Sequence, residues 1–345
     1  MHELTPDNTT EYLRKVGRVA PGDRVSVREL SGGVSNVVLR VDVDGREPMV
    51  VKQCRERLRV AVEWLARLDR IWVEHATLGV LADILPDGTV PKVLFDDRPE
   101  YLFAMTCAPE DSTTWKSLLM DGQADAGIAS NLGTLLGTIH AEAPRHPALA
   151  TTLADTSLFD ELRVDPYYRT TARAHPALAP RIDALIAAMN LPEGRRTLVL
   201  GDFSPKNILV HGGGLILLDF ECAHAGDPAF DLGFFLSHLA LKRIHKSLQD
   251  PGDEPKYRAL LDAFWTAYLD RVDDRLGPRD ELTRRAVEHT AACLLARVDG
   301  KSPVEYLDAR GREVARESAI TLFDARPETW ERMLATLDAA LPSPY

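Results

Sequence analysis

Residues 198–233 read LVLGDFSPKNILVHGGGLILLDFECAHAGDPAFDLG, and the fold turns on how this stretch is parsed. Two apolar runs, Ile208–Val210 and Leu215–Leu218, flank His211-Gly212-Gly213-Gly214, which has the composition of a turn between strands. A third short run, Leu198–Leu200, precedes them. Asp202 and Asn207 stand five residues apart in the loop between Leu198–Leu200 and Ile208–Val210, and Pro205 stiffens that loop. Asp219 follows Asn207 by twelve residues, where the last run ends. Taken alone, an Asp and an Asn at this spacing describe capped turns. The strand–loop–strand setting and the second carboxylate point instead to chemistry.

This spacing reproduces the catalytic-loop D-x-x-x-x-N and the later metal-binding aspartate of the kinase layout. Such chemistry needs a carboxylate, Asp202, to accept or orient a hydroxyl proton. It also needs an amide oxygen and a carboxylate, Asn207 and Asp219, to hold Mg²⁺ against phosphates. If this half of a site is real, a phosphate-holding half should lie upstream. Leu30-Ser31-Gly32-Gly33-Val34-Ser35-Asn36 sits between two strand-like runs, and Gly32, Gly33, Ser35 and Asn36 are the candidates to approach phosphate oxygens. Lys52 follows on the apolar run Val50-Val51-Lys52-Gln53, where a lysine is unusual unless it is paired. Glu74 is the chosen partner, with Glu63 and Glu56 as rivals. Met105, Thr106 and Ala108 fall in an extended segment whose backbone can meet an adenine edge.

The pattern changes character near residue 108. Before it come a helix opened by Thr5-Pro6 and running to about Val16, strands at Val25–Leu30, Val37–Val43 and Met49–Gln53, and a turn at Asp44-Gly45. A helix is then predicted over Leu58–Leu81, with strands at Val93–Phe95 and Tyr101–Met105. After Pro109 the chain is mainly helical. Ile128–Ala141 carries Leu132, Leu135, Leu136 and Ile139 at helical spacing. From Phe230 to Leu341 helices resume, broken at Pro251, Gly277-Pro278 and Ser302-Pro303. The expected organisation is therefore a nucleotide-binding lobe, residues 1–108, and a catalytic and acceptor-binding lobe, residues 109–345.

The 345 residues are 45% hydrophobic and 27% charged, an ordinary globular balance that excludes wholesale disorder. A net charge of −11 argues against a nucleic-acid partner. The longest uncharged stretch, Ala126–Ala141, carries three glycines and Asn131 and is too short to span a bilayer, so no membrane partner is expected. Cys54, Cys107, Cys222 and Cys293 are scattered, with neither disulfide nor zinc spacing. The opening MHELTPDNTTEYLRK does not read as a signal peptide, so a reduced, cytoplasmic location is expected.

The pieces SGGVSN, VVKQ, LGTLLGTIH, LGDFSPKNIL, LDFE and GDPAFDLG follow one another from Ser31 to Gly233, and in this order they resemble the aminoglycoside phosphotransferase family with its choline-kinase and methylthioribose-kinase relatives. The resemblance implies a protein-kinase-like α+β fold, with a small β-rich lobe and a larger helical one. It implies ATP and Mg²⁺ as cofactors and phosphoryl transfer to the hydroxyl of a small-molecule acceptor. It carries over Asp202 as catalytic base, Lys52 on the phosphates, and Asn207 with Asp219 on metal. Glu221 matches an acidic position that assists the metal in the family or serves as a supporting carboxylate. His140 and Asp231 match residues that support the catalytic loop. Leu200 departs from the family's usual histidine and puts that support in question. The alternatives are an inactive nucleotide-binding pseudokinase or regulatory module, and a nucleotidyl-transferring enzyme on the same fold. Residues 237–310 are expected to line the acceptor pocket, with Arg243, Trp265, Tyr268 and Arg297 as individual candidates.

Overall fold

Strict alternation builds the first unit. In β2 (Asn36–Val43), Val37, Leu39, Val41 and Val43 point one way, and across the antiparallel register Leu39 meets Val51 of β3 (Met49–Cys54). The computed structural model describes residues 2–30, 36–55 and 67–341. Within it, β1 (Val25–Glu29), β2, β3, β4 (Val93–Asp97) and β5 (Leu102–Thr106) form one antiparallel sheet in the order β1-β2-β3-β5-β4. Helix α1 (Pro6–Lys15) covers the face made by Val37, Leu39, Val41, Val51, Leu102 and Ala104, to which it adds Leu13. Because side chains alternate along a strand, Lys52 stands on the other face, opposite Val38 and Phe103.

Helix α2 runs from Arg70 to Ile84. The expected start at Leu58 is corrected for residues 67–69, which form a turn; residues 56–66 lie outside the described residues. The turn is tied down by Arg70, itself 1% exposed, whose guanidinium donates to the carbonyls of Arg55 and Arg67. A compact unit comprises residues 1–112 together with 210–221, so the chain returns to it after the catalytic-loop segment. Leu217 N–H donates to the Thr89 carbonyl at 2.8 Å and fastens that returning segment.

The second unit, residues 113–209 and 222–345, is helical. It begins with β6 (Thr113–Thr114), α3 (Trp115–Met120) and α4 (Ala126–Glu142), followed by the short helices α5 (Ser157–Phe159) and α6 (Thr170–Ala174) on either side of wide π-type turns at Asp160–Arg169. Next come α7 (Ala179–Ala188), β7 (Thr197–Val199), the start of β8 (Ile208–His211) and β10 (His224–Gly226), while β9 (Gly214–Leu217) belongs to the returning segment of the first unit. The remainder is α8 (Pro228–Gln249), α9 (Glu254–Leu269), α10 (Arg279–Asp299), α11 (Ala309–Ala325) and α12 (Trp330–Ala340). The glycines of LGTLLGTIH have a packing reason. A Cβ on Gly133 would stand 2.2 Å from the Phe264 carbonyl oxygen, so only glycine lets α4 lie this close to α9. Strand β7 pairs with β10, Leu198 opposite Ala225, a partner hidden in the Ala- and Gly-rich CAHAGD. The last helices break at the three expected places and once more at Arg326, which closes α11 in a left-handed conformation at φ 45°.

Candidate active site

In the first unit, Lys52 is buried and reaches Glu74 at 2.6 Å and Asp219 Oδ1 at 3.2 Å. Burial alone would depress the ammonium's pKa, but Glu74, Asp219 and Glu221 outweigh it and hold the group above its ordinary value. Glu74 is thus the partner the structure supplies, while Glu56 and Glu63 lie outside the described residues. Gly32, Gly33 and Ser35 do so as well. Asn36 is described, and its amide Nδ2 donates to Glu221 Oε2 at 3.2 Å. The same oxygen lies 3.3 Å from Arg70 Nε, a residue that sequence reasoning missed because no motif marks it. Two cations and three carboxylates therefore share this cluster. Their excess of negative charge suits a divalent cation. Among the described residues no three His, Cys, Asp or Glu side chains gather into a metal cage, but Mg²⁺ bound with phosphates needs only one or two carboxylates.

The first unit also holds a cavity of 160 Å³, lined by Val90, Thr106, Cys107, Ala108, His211 and Ile216 among others. The Thr106 N–H is spent on the Lys92 carbonyl at 2.9 Å. Thr106 and Ala108 line this space. Met105 does not; it is paired across β5 with Val50 and Val93 and is buried in the sheet.

The second unit holds Asp202 and Asn207. Gly201, just before Asp202, has φ 74°, and a Cβ there would stand 2.7 Å from the Cys222 carbonyl oxygen. Pro205–Asn207 forms a single 3-10 turn. Asn207 Nδ2 donates to the Asp202 carbonyl at 3.0 Å, which orients the amide and leaves its oxygen outside that bond. Asp202 is buried, and its Oδ2 is 2.9 Å from both Arg163 Nη2 and Lys206 Nζ. Arg163 also donates to the Gly201 carbonyl at 2.7 Å. It sits in the π-type turns far upstream, and no sequence signal singled it out.

The brace behind the loop is complete. Asp231, fully buried, accepts from Leu200 N–H at 2.6 Å and Gly201 N–H at 2.9 Å. His140 joins it at 3.3 Å and meets the Tyr268 hydroxyl at 2.9 Å. These two N–H bonds do not depend on the side chain at position 200, where leucine stands in place of the usual histidine. Asp231→Asn keeps the shape but weakens charge-assisted bonds. It is expected to lower stability by about 1.5–3 kcal/mol. Urea unfolding checks this, and a change below about 0.5 kcal/mol would remove Asp231 from the brace.

Three of the four acceptor candidates serve packing. Arg243 pairs with Glu254 and Asp338, Trp265 stacks on Trp330 at 4.8 Å, and Tyr268 partners His140. Arg297 differs: it donates to the Tyr167 hydroxyl at 3.1 Å and to Ser302.

With that geometry in hand, comparison with known proteins defines the class. The profile of the phosphotransferase enzyme family (APH) matches residues 26–240, and the chain belongs to this family. It is an ATP-dependent phosphotransferase with a small-molecule hydroxyl as acceptor. A methylthioribose kinase of Bacillus cereus (strain ATCC 10987) is 23% identical over 299 residues, covering 78% of this chain and 73% of that one. A second, from Bacillus thuringiensis (strain Al Hakam), is 23% identical over 277 residues, covering 73% and 69%. Among solved structures, a choline/ethanolamine kinase family protein from Mesorhizobium loti superposes with TM-score 0.53 at 17% identity, covering 96% of this chain and 99% of that one. The macrolide 2'-phosphotransferase of Brachybacterium faecium does so with TM-score 0.53 at 21% identity, covering 91% and 97%. These likenesses show the shared α+β kinase-like fold. Among the described residues no helix is long and apolar enough to cross a membrane.

Proposed function

We propose that this phosphotransferase uses Asp202 to receive the acceptor's hydroxyl proton and Lys52, positioned by Glu74, to hold the phosphates of ATP. The acceptor oxygen forms a bond to Pγ, the bond from Pγ to the bridging oxygen breaks, and ADP leaves with that electron pair. Arg163 and Lys206 keep the Asp202 carboxylate turned to one place. The Asn207 amide oxygen and the Asp219 carboxylate are the groups to hold Mg²⁺, with Glu221 orienting from behind through Arg70 and Asn36. When bound, the metal neutralises phosphate charge as the leaving group develops. Thr106 and Ala108 receive the adenine in their 160 Å³ cavity.

The observation that carries this reading is the Lys52–Glu74–Asp219 cluster, a buried ammonium held among carboxylates in a chain of the phosphotransferase family. It also disfavours an inactive nucleotide-binding module, which has no use for the whole set. Relatives are named for a thio-sugar, an amino alcohol and a macrolide, so the acceptor must be found by experiment. A screen of hydroxylated metabolites and antibiotics with γ-labelled ATP is expected to move label to one class of acceptor with release of ADP. Pyrophosphate with AMP on the acceptor would replace this reading by nucleotidyl transfer. Nucleotide binding without any transfer would replace it by the inactive module.

A further inference from the structure

One stripe of α8 carries basic side chains and is buried. His238, Lys242 and His245 follow one another at helical spacing and are 7%, 1% and 9% exposed. Lysine is almost never fully buried unless it is paired. Lys242 has no ion pair or hydrogen bond among the described residues; its contact is the Tyr306 ring, 5.1 Å from Nζ. Its surroundings repel it. Burial, then Lys116 and Arg297, push its pKa down to about 7, with Glu305 the opposing carboxylate. That carboxylate is already paired with Lys116. The Tyr306 hydroxyl and Arg297 Nε are both buried without hydrogen-bond partners among the described residues.

The stripe begins at the catalytic loop. Arg163, paired with Asp202, lies over the Phe234 ring at 5.7 Å, and Phe234 contacts His238 at 5.0 Å. Lys242 is one turn further along the same helix, about 6 Å on. His238 is held well below the ordinary histidine range by burial and then by Arg297, Lys242, Lys206 and Lys116, so the loop lysine and the stripe form one electrostatic cluster. Burying an ammonium without a partner is costly, and a group so placed is a candidate for completion by a ligand's opposite charge.

Resting on the phosphotransferase reading, we propose that the acceptor is an anionic alcohol, whose carboxylate or phosphate is held by Lys242, Arg297 and Tyr306 while its hydroxyl faces Asp202. A cationic antibiotic or amino alcohol would meet Lys242, Arg297 and Lys116 against the single carboxylate of Glu305, and a neutral sugar would leave the lysine unpaired.

The test uses glycerol, glycerate and glycerol 3-phosphate as a matched series, with choline as the cationic member. Transfer from ATP is measured, and so is the thermal shift each compound gives with MgADP saturating. Wild type is expected to favour glycerate or glycerol 3-phosphate in both readouts, and the stronger of the two identifies the anion. Lys242→Met should raise KM for the anionic acceptor at least about tenfold and abolish its thermal shift, with the loss falling in KM rather than kcat. Lys242→Arg should restore most of the binding. The melting temperature of Lys242→Met without ligand should equal or exceed that of wild type, since no ion pair or hydrogen bond is lost and the methionine can still pack on Tyr306. A Lys242→Met variant that unfolds, or binds the anions as wild type does, overturns the proposal, as does equal or better use of glycerol or choline. Lys242-dependent anion binding without transfer to any alcohol would leave the anion site standing and defeat the phosphotransfer reading instead.

Discussion

Asp202→Asn is expected to lower kcat by about 10²–10⁴, the range of a positioned acid–base group, with the affinity for ATP little changed. The side chain keeps its shape and its place in the loop, because Gly201 and Leu200 are held through their backbones by Asp231. What disappears is the negative charge that receives the hydroxyl proton. The same substitution strips Arg163 and Lys206 of their shared carboxylate. Lys206 is exposed and loses little. Arg163 keeps the carbonyls of Gly201 and Leu162, each at 2.7 Å. The fold is therefore expected to lose about 1–3 kcal/mol, far from unfolding a domain of this size. Steady-state kinetics and urea unfolding on one preparation separate the two effects. A variant retaining more than half of the wild-type kcat would remove Asp202 from the mechanism.

Asp219→Asn is expected to weaken MgATP binding more than about 100-fold, beyond the 10–100-fold typical of losing a residue that merely supports a metal ligand. Asparagine is the informative choice. Asp219 has φ 68°, a left-handed conformation that asparagine tolerates and alanine adopts only with strain. The variant thus changes charge without disturbing backbone. Lys52 loses one carboxylate but keeps Glu74 at 2.6 Å, so the strand and helix stay joined. Calorimetry of ATP with and without Mg²⁺ reads the effect directly. Unchanged affinity for MgATP, or an equal loss in its absence, would sink the metal assignment.

Much of the site was legible in residues 198–233 because local spacing carries it. A loop between two strands places an aspartate and an asparagine five apart with few alternatives, and a second aspartate at the end of the next run follows the chain. Lys52 was legible for a different reason. A lysine inside Val50-Val51-Lys52-Gln53 has its face dictated by period-two alternation, and its charge then demands a partner. Glu74 followed from helical placement on α2, although the helix begins at Arg70 and not at Leu58 among the described residues.

Arg163, Arg70 and Lys242 were not legible, and the reason is shared. Each is a cation whose meaning lies in residues distant along the chain: Asp202 for the first, Glu221 for the second, Tyr306 and Arg297 for the third. Sequence periodicity can say that α8 is a long helix, yet it treats lysine as a solvated residue by default. Only tertiary packing, which buries Lys242 to 1% exposure with no carboxylate bonded to it among the described residues, makes it a candidate site. Spacing and alternation within short stretches were enough for the kind of fold and for the chemistry proposed for the loop around Asp202. The tertiary structure alone decided which charges are paired and which are left for a ligand, because pairing depends on distances that no local pattern encodes.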